Sequence, residues 1–407
     1  APAPTPAPLE PIPRATKSGP SATRNIGRMT VVSREAIDAA LATVQDPEIR
    51  RPLTELKMIK AVDIADSGAV TVEIWLTVSG CPMRDEITGR VTDAVSAVAG
   101  VTDVTVVLDV MAEEQRAALR EQLQGPTKEN VFNSPGNTTK IVAVASGKGG
   151  VGKSSLTANI AVALANRGMS VGLVDADIYG HSIPRMLGVI EAPTVVDGMI
   201  LPPECFGVRV ISMLPFKPGG ITQAVAFRGP MLHRALDQFL TDVYWGDLDV
   251  LLLDLPPGTG DVAISVGQLL PRAELVVVTT PQPAAAEVSI RAGMLAQQTH
   301  QRVIGVIENM AGFPCPHCGE PIDIFGVGGG SLVAESLTRE LGTDVPVLGR
   351  VPFDTRLREG GDAGVPLVVS GPESPAAQAI ESIAATLAAK PRGLAGMSLG
   401  ITPAGRK

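Results

Sequence analysis

The pattern of apolar and polar positions divides the chain into unlike stretches. Residues 1–29 are rich in alanine and proline and carry no helical or strand period. Such a segment cannot bury enough apolar surface to fold alone, and a disordered tail is expected. A transit peptide is the alternative, given Arg14, Lys17, Arg24 and Arg28 against the single acid Glu10. From 30 to 123 the spacing predicts a small α+β domain in the order α-β-β-α-β. Ser33 is placed to cap a helix whose Ile37, Leu41 and Val44 share one face. Val70, Val72, Ile74, Leu76 and Val78 alternate with Thr71, Glu73, Trp75 and Thr77, which predicts a strand with one buried face. A second helix would carry Met83, Ile87, Val91 and Val98, and a strand at about 101–110 would close the unit. A polar helix at 111–123 and a Gly/Pro-containing loop over 124–137 read as the linker to a larger second domain.

Over 138–390 apolar runs of strand length alternate with helical patterns. Strands are expected at Ile141–Ala145, Val171–Asp175, Val208–Leu214, Val250–Asp254, Leu275–Thr279 and Val303–Glu308. The first, fourth and fifth are almost wholly apolar, as parallel strands covered on both faces must be. The resulting fold class is α/β, a doubly wound, mostly parallel sheet preceded by the small α+β domain. Residues 391–407 are interrupted by glycine and proline and are expected to be a flexible tail without a membrane-binding amphipathic face.

Composition narrows the classes further. A length of 407 residues suits two domains plus tails, and 45% hydrophobic residues suffice for large cores. The net charge of −8 argues against non-specific nucleic-acid binding, which relies on basic surface. No apolar run approaches the roughly 20 residues of a membrane span, and no signal-peptide core is visible. The four cysteines, Cys81, Cys205, Cys315 and Cys318, are too few for a secreted disulfide scaffold. A cytoplasmic protein without membrane or nucleic-acid partners is therefore expected.

The chemistry enters with Gly147-Lys148-Gly149-Gly150-Val151-Gly152-Lys153-Ser154. It follows an apolar strand and opens a helix expected over Ser155–Arg167, the context that a phosphate-binding loop requires. Glycines let successive backbone N–H groups turn inward around an anion, and the helix N-terminus adds positive potential. Lys153 is expected to reach the β- and γ-phosphates of ATP, and the Ser154 hydroxyl to ligate Mg²⁺. Lys148 at the second loop position marks the deviant Walker A motif of the MinD-like ATPases. In that family this lysine crosses a dimer to the partner's phosphates, a role like that of an arginine finger.

Leu251-Leu252-Leu253-Asp254 reads as a Walker B strand, with Asp254 holding Mg²⁺ through water. It runs into Leu255-Pro256-Pro257-Gly258-Thr259-Gly260-Asp261, a switch II-like loop in which the Gly258 N–H is a candidate donor to the γ-phosphate. Asp175 and Asp177 end another strand. Asp177 is the candidate to orient the attacking water, and Asp175 to support the metal shell. Strand-end carboxylates also serve as helix caps, and that alternative stands for both.

Cys315-Pro316-His317-Cys318 follows the sixth strand. Two thiolates at this spacing bind one edge of a metal centre, whereas a closed site needs four ligands. A symmetric dimer supplies the other two. Iron–sulfur cluster and structural zinc both remain open on these residues alone.

Residues 138–390 resemble the Mrp/ApbC iron–sulfur carrier ATPases. The likeness rests on the deviant Walker A loop, Asp-Ala-Asp-Ile-Tyr-Gly (175–180), Asp-Leu-Pro-Pro-Gly-Thr-Gly-Asp (254–261) and Glu-Asn-Met followed by the cysteine pair. It implies a 4Fe–4S cluster bridged by Cys315 and Cys318 of two subunits in a homodimer, slow ATP hydrolysis, donors among iron–sulfur scaffolds and delivery to apo-protein acceptors. It also implies an adenine contact by Asn309 and a base-flanking loop that includes Pro352 and Asp354. Residues 30–110 resemble the SufT/PaaD-like domain of iron–sulfur assembly factors through Asp46-Pro47-Glu48 and Thr77-Val78-Ser79-Gly80-Cys81-Pro82-Met83. Cys81 lies just before a helix, where the dipole is expected to lower a thiol pKa; a small buried hydrophobe is the alternative. A spatial regulator of the MinD/ParA type with a structural zinc site is the competing function.

Overall fold

The computed structural model describes residues 32–389 except 79–80, 126–128, 178–179, 181, 191, 213–228 and 316. Both expected tails lie outside the described residues, as do the last two positions of the expected strand 208–214. The same holds for Ser79, Gly80, Ile178, Tyr179 and Pro316 of the sequence motifs.

The chain opens with α1 (Arg34–Leu41), β1 (Ile59–Ile64), β2 (Ala69–Leu76), α2 (Arg84–Ser96), β3 (Asp103–Val110) and α3 (Glu113–Gln124). The Ser33 hydroxyl accepts the Ala36 N–H at 3.3 Å, and Ile37 and Leu41 are buried one turn apart. β1 and β2 are antiparallel, and the α2 crossover brings β3 parallel to β2. The α2 helix stops before Val98, which instead packs on the core from the turn after it.

The larger part runs β4 (Lys140–Ser146), α4 (Lys153–Asn166), β5 (Val171–Asp175), α5 (Ile183–Met186), β6 (Thr194–Val196), β7 (Met199–Leu201), β8 (Glu204–Cys205) and β9 (Val208–Ser212). It continues with α6 (Gly229–Thr241), β10 (Val250–Asp254), α7 (Asp261–Leu269), β11 (Glu274–Thr279), α8 (Pro283–Gln298) and β12 (Arg302–Asn309). It ends with β13 (Phe313–Pro314), β14 (Pro321–Ile322), α9 (Gly329–Leu341), β15 (Val347–Val351), α10 (Thr355–Ala363), α11 (Leu367–Ser370) and α12 (Pro375–Ala388).

Eight strands form one sheet in the order β15-β12-β11-β4-β10-β5-β9-β8, parallel except for β8 at its edge. The β4 strand shows why both faces are covered. Ile141, Ala143 and Ala145 belong to the core with α6, α7 and α9, while Val142 and Val144 belong to the opposite core with α4 and α12. Because β10 is inserted between β4 and β5, the C-terminal ends of these three strands are neighbours. Ligands of doubly wound sheets bind at such ends.

The hairpin β6–β7 is not visible as a strand pair in the apolar periodicity, yet its turn is Asp197-Gly198, with φ of +48° and +78°. Its Val196, Met199 and Leu201 are buried in the core of the small α+β unit together with Ile37, Val72 and Val91. Burying each such side chain stabilises by about 1.5–3 kcal/mol. Thr194 donates its hydroxyl to Glu48 at 2.7 Å, and Arg50 pairs with Glu204, across the same junction.

Candidate nucleotide and thiolate site

The loop 147–152 connects β4 to α4 below the neighbouring ends of β5 and β10. Gly150 and Gly152 hold φ of +80° and +81°, which L side chains rarely adopt. A Cβ at Gly152 would also come within 2.2 Å of Asn309 Nδ2, so only glycine fits there.

Asp254 is fully buried and gathers the loop. Lys153 Nζ lies 2.7 Å from its Oδ1, the Ser154 hydroxyl donates to Oδ2 at 2.6 Å, and the Thr157 hydroxyl donates to Oδ1 at 2.9 Å. Thr157 lies outside the motif. Its one sequence signal is a polar residue one turn beyond Lys153, on the same side of the helix. Asp175 is paired with Asp254 in register across β5 and β10. Its Oδ1 has no hydrogen-bond partner, and its carboxyl is pushed up to about 8 by burial, then by the charges of Asp254 and Asp177. A buried acid with an unsatisfied oxygen, beside a second carboxylate and a serine hydroxyl, is a donor set suited to a hard divalent cation such as Mg²⁺.

Other expected residues take different positions. Lys148 Nζ lies 3.2 Å from Gln282 Oε1 at the start of α8, away from its own loop's helix. Gln282 carries no sequence signal. Asp177 accepts the Gly180 N–H at 2.9 Å and lines the cradle with Ser154, Ser155 and Pro257. The Gly258 N–H is donated to the Ser146 carbonyl at 2.8 Å, so it holds the switch-like loop to β4 rather than facing the cradle. Asn309 is 2% exposed and donates Nδ2 to the Val151 carbonyl at 2.9 Å, so its amide nitrogen props the loop. Asp354 caps α10 through the Arg356 N–H at 3.0 Å.

A cavity of about 200 Å³ over the loop adjoins one of about 390 Å³. They share Gly152, Ser155, Ser182 and Met186, and the larger is walled by Asn309, Met310, Pro352, Phe353 and Asp354. A charged cradle opening on a mainly apolar slot accommodates a phosphate chain and a planar base.

Cys315 and Cys318 sit in the turn of the hairpin β13–β14, where Phe313 pairs with Ile322. The Cys315 N–H bonds the Glu320 carbonyl at 2.9 Å, and Gly319, with φ +77°, returns its N–H to the Cys315 carbonyl at 2.8 Å. The backbone N–H groups of His317 and Cys318, and then the Cys318 thiol, hold the Cys315 thiol below its ordinary value. Cys318 is exposed. No group of three or more His, Cys, Asp or Glu side chains placed to hold a metal ion occurs among the described residues.

Cys81 departs from the helix-dipole expectation. It is 5% exposed in the core of the small unit, and burial pushes its thiol up to about 11. Desolvation of the thiolate outweighs the dipole at that position. No helix among the described residues is long and apolar enough to cross a membrane.

A family model for the NUBPL iron-transfer P-loop NTPases matches residues 137–388, and one for iron–sulfur cluster assembly proteins matches residues 34–108. A Mycobacterium tuberculosis protein named iron–sulfur cluster carrier protein is 59% identical over 373 residues, covering 91% of this chain and 97% of its own. A Deinococcus radiodurans protein of the same name is 42% identical over 356 residues, covering 87% and 94%. Among solved structures, an Archaeoglobus fulgidus nucleotide-binding protein in complex with ADP is 38% identical, with 55% of this chain and 86% of that one covered and a TM-score of 0.46.

Proposed function

The chain belongs to the NUBPL iron-transfer P-loop NTPase family, and from that membership we propose that it is a cytoplasmic, ATP-hydrolysing iron–sulfur cluster carrier. The observation that carries the cluster half of this reading is the pair of half-buried Cys315 and exposed Cys318 in one hairpin turn, read as a two-thiolate half-site on a nucleotide-binding body. Two copies related by a two-fold axis supply four thiolates, the usual complement of a 4Fe–4S cluster. The bridged cluster is the cargo, received from scaffold donors and passed to apo-protein acceptors.

ATP enters with its phosphates over Gly149–Ser155 and its base in the slot beside Met310 and Phe353. Lys153, on meeting the phosphates, exchanges the Asp254 carboxylate for them and neutralises β- and γ-oxygens. Mg²⁺ would be held by Ser154 with Asp254 and Asp175 behind it, and would supply charge neutralisation at the β- and γ-oxygens. Asp177 orients the attacking water. Lys148 leaves Gln282 to reach the facing subunit's phosphates, where a cation offsets charge developing during transfer. Because that lysine acts in trans, hydrolysis requires the homodimer and is slow in its absence.

Anaerobic reconstitution followed by iron, sulfide and zinc analysis tests the reading. The expected result is about four irons and four sulfides per dimer, lost in the Cys315→Ala/Cys318→Ala variant. Equal loading of that variant, or zinc in place of iron and sulfide, would overturn it.

A further inference from the structure

The nucleotide slot and the cysteine hairpin share a wall. Phe353 lines the slot, and its ring meets Phe313 edge-on, with centroids 5.8 Å apart at 70°. Phe325, just beyond the hairpin, approaches the same ring at 6.0 Å. Phe313 begins the strand that leads into Cys315 and is not part of the slot's lining. The backbones are tied as well: the Phe353 N–H donates to the Gly312 carbonyl at 2.8 Å, and the Ala311 N–H to the Val351 carbonyl at 2.9 Å.

A second connection runs along the chain. Asn309 holds the phosphate loop through the Val151 carbonyl, and Cys315 lies only six residues further on. Between them Met310 adopts φ of +61°, in the left-handed region that a non-glycine residue enters at a cost of about 1–3 kcal/mol. Gly312 follows at φ +77°. A strained residue that lines the slot, next to a permissive one, is a place where the backbone can yield when the slot fills.

We propose that the Phe353–Phe313 contact makes Phe353 a positioning residue for the thiolates, coupling occupancy of the base slot to the placement of Cys315 and Cys318. The proposal deepens the carrier reading and rests on it: a base entering the slot displaces Phe353, the ring carries Phe313 with it, and the hairpin turn re-aims its two thiolates. Aromatic pairs of this geometry are directional, so a small rotation of one ring is felt by the other.

The test uses the cluster-free full chain, so it does not depend on cluster loading. Alkylation rates of Cys315 and Cys318 are measured by mass spectrometry with and without a non-hydrolysable ATP analogue and Mg²⁺, and analogue affinity is measured separately. In the wild type the analogue is expected to change the rates by at least about fivefold, the lower range of ordinary site-to-site coupling. Phe313→Leu should bring that ratio close to one while leaving analogue affinity unchanged. Phe353→Leu should do the same with affinity altered only a few-fold. If Phe313 only braced the hairpin, its loss would raise both rates equally and leave the ratio intact, which would overturn the proposal. A wild-type ratio of one would overturn it too. Iron and sulfide analysis separately decides the carrier reading, so a protein that shows the coupling but loads no cluster would refute only that reading.

Discussion

Lys153 Nζ and Asp254 Oδ1 stand 2.7 Å apart with 6% and 0% of their side chains exposed, and the pair fastens the phosphate loop to the end of β10. Ser154 and Thr157 complete the carboxylate's hydrogen bonds. Asp254→Ala strips the buried ammonium of its counter-charge and removes the acceptor that the Ser154 and Thr157 hydroxyls share. Removing one member of a buried pair costs about 3–5 kcal/mol. Urea unfolding of the nucleotide-free variant should show a loss of that size, and a loss below ~1 kcal/mol would mean that the pair is solvated.

Asp175 makes the ligand-free protein less stable as pH rises. Its unfolded value is 3.8 and its folded value about 8, so across that window the native state holds a proton that the unfolded chain has released. Stability therefore falls between about pH 4 and pH 8 and is level above. Asp175→Asn removes this dependence. The variant's advantage in unfolding free energy over the wild type should be small at pH 5, grow toward pH 8 and be level above it. An advantage independent of pH would show that the carboxyl titrates normally.

The thiols should separate by reactivity. With a thiol value near 11, Cys81 is about one part in a thousand thiolate at pH 8 and is also buried. Cys318 is exposed and Cys315 is lowered by hairpin N–H groups. Peptide mapping after brief iodoacetamide treatment at pH 7.5 should find label on Cys315 and Cys318 and none on Cys81. Early labelling of Cys81 would restore the idea of an activated thiol there.

Met199 is fully buried among side chains of the small α+β unit, although it belongs to the segment between α5 and β8. Met199→Ala should cost about 2–5 kcal/mol. Hydrogen exchange should place the loss in β1–β3 before the large sheet. Uniform loosening of both sheets would mean that the hairpin does not serve as the anchor of the small unit.

Much of this architecture is legible in the order of residues. The almost wholly apolar runs at 250–254 and 275–279 and the strict alternation at 70–76 reflect local facts, namely which faces a strand buries. The small hairpins are not legible in the same way, because two- and three-residue strands carry too few positions for a period, although Asp197-Gly198 marks one turn. Cys81 differs from expectation because a helix dipole is local and visible in sequence, while burial is set by residues distant in the chain.

Short stretches of sequence were enough for the phosphate loop, since glycines and a lysine at fixed offsets dictate backbone geometry without outside help. They were enough also for the thiolate pair, whose spacing is covalent. That Asp175 meets Asp254, that Asn309 props Val151 and that Phe353 bridges the neighbouring slot to Phe313 came from the folded chain alone. These meetings depend on strand order, register and loop closure, which sum over many weak contacts spread along the chain. No short window of residues contains them.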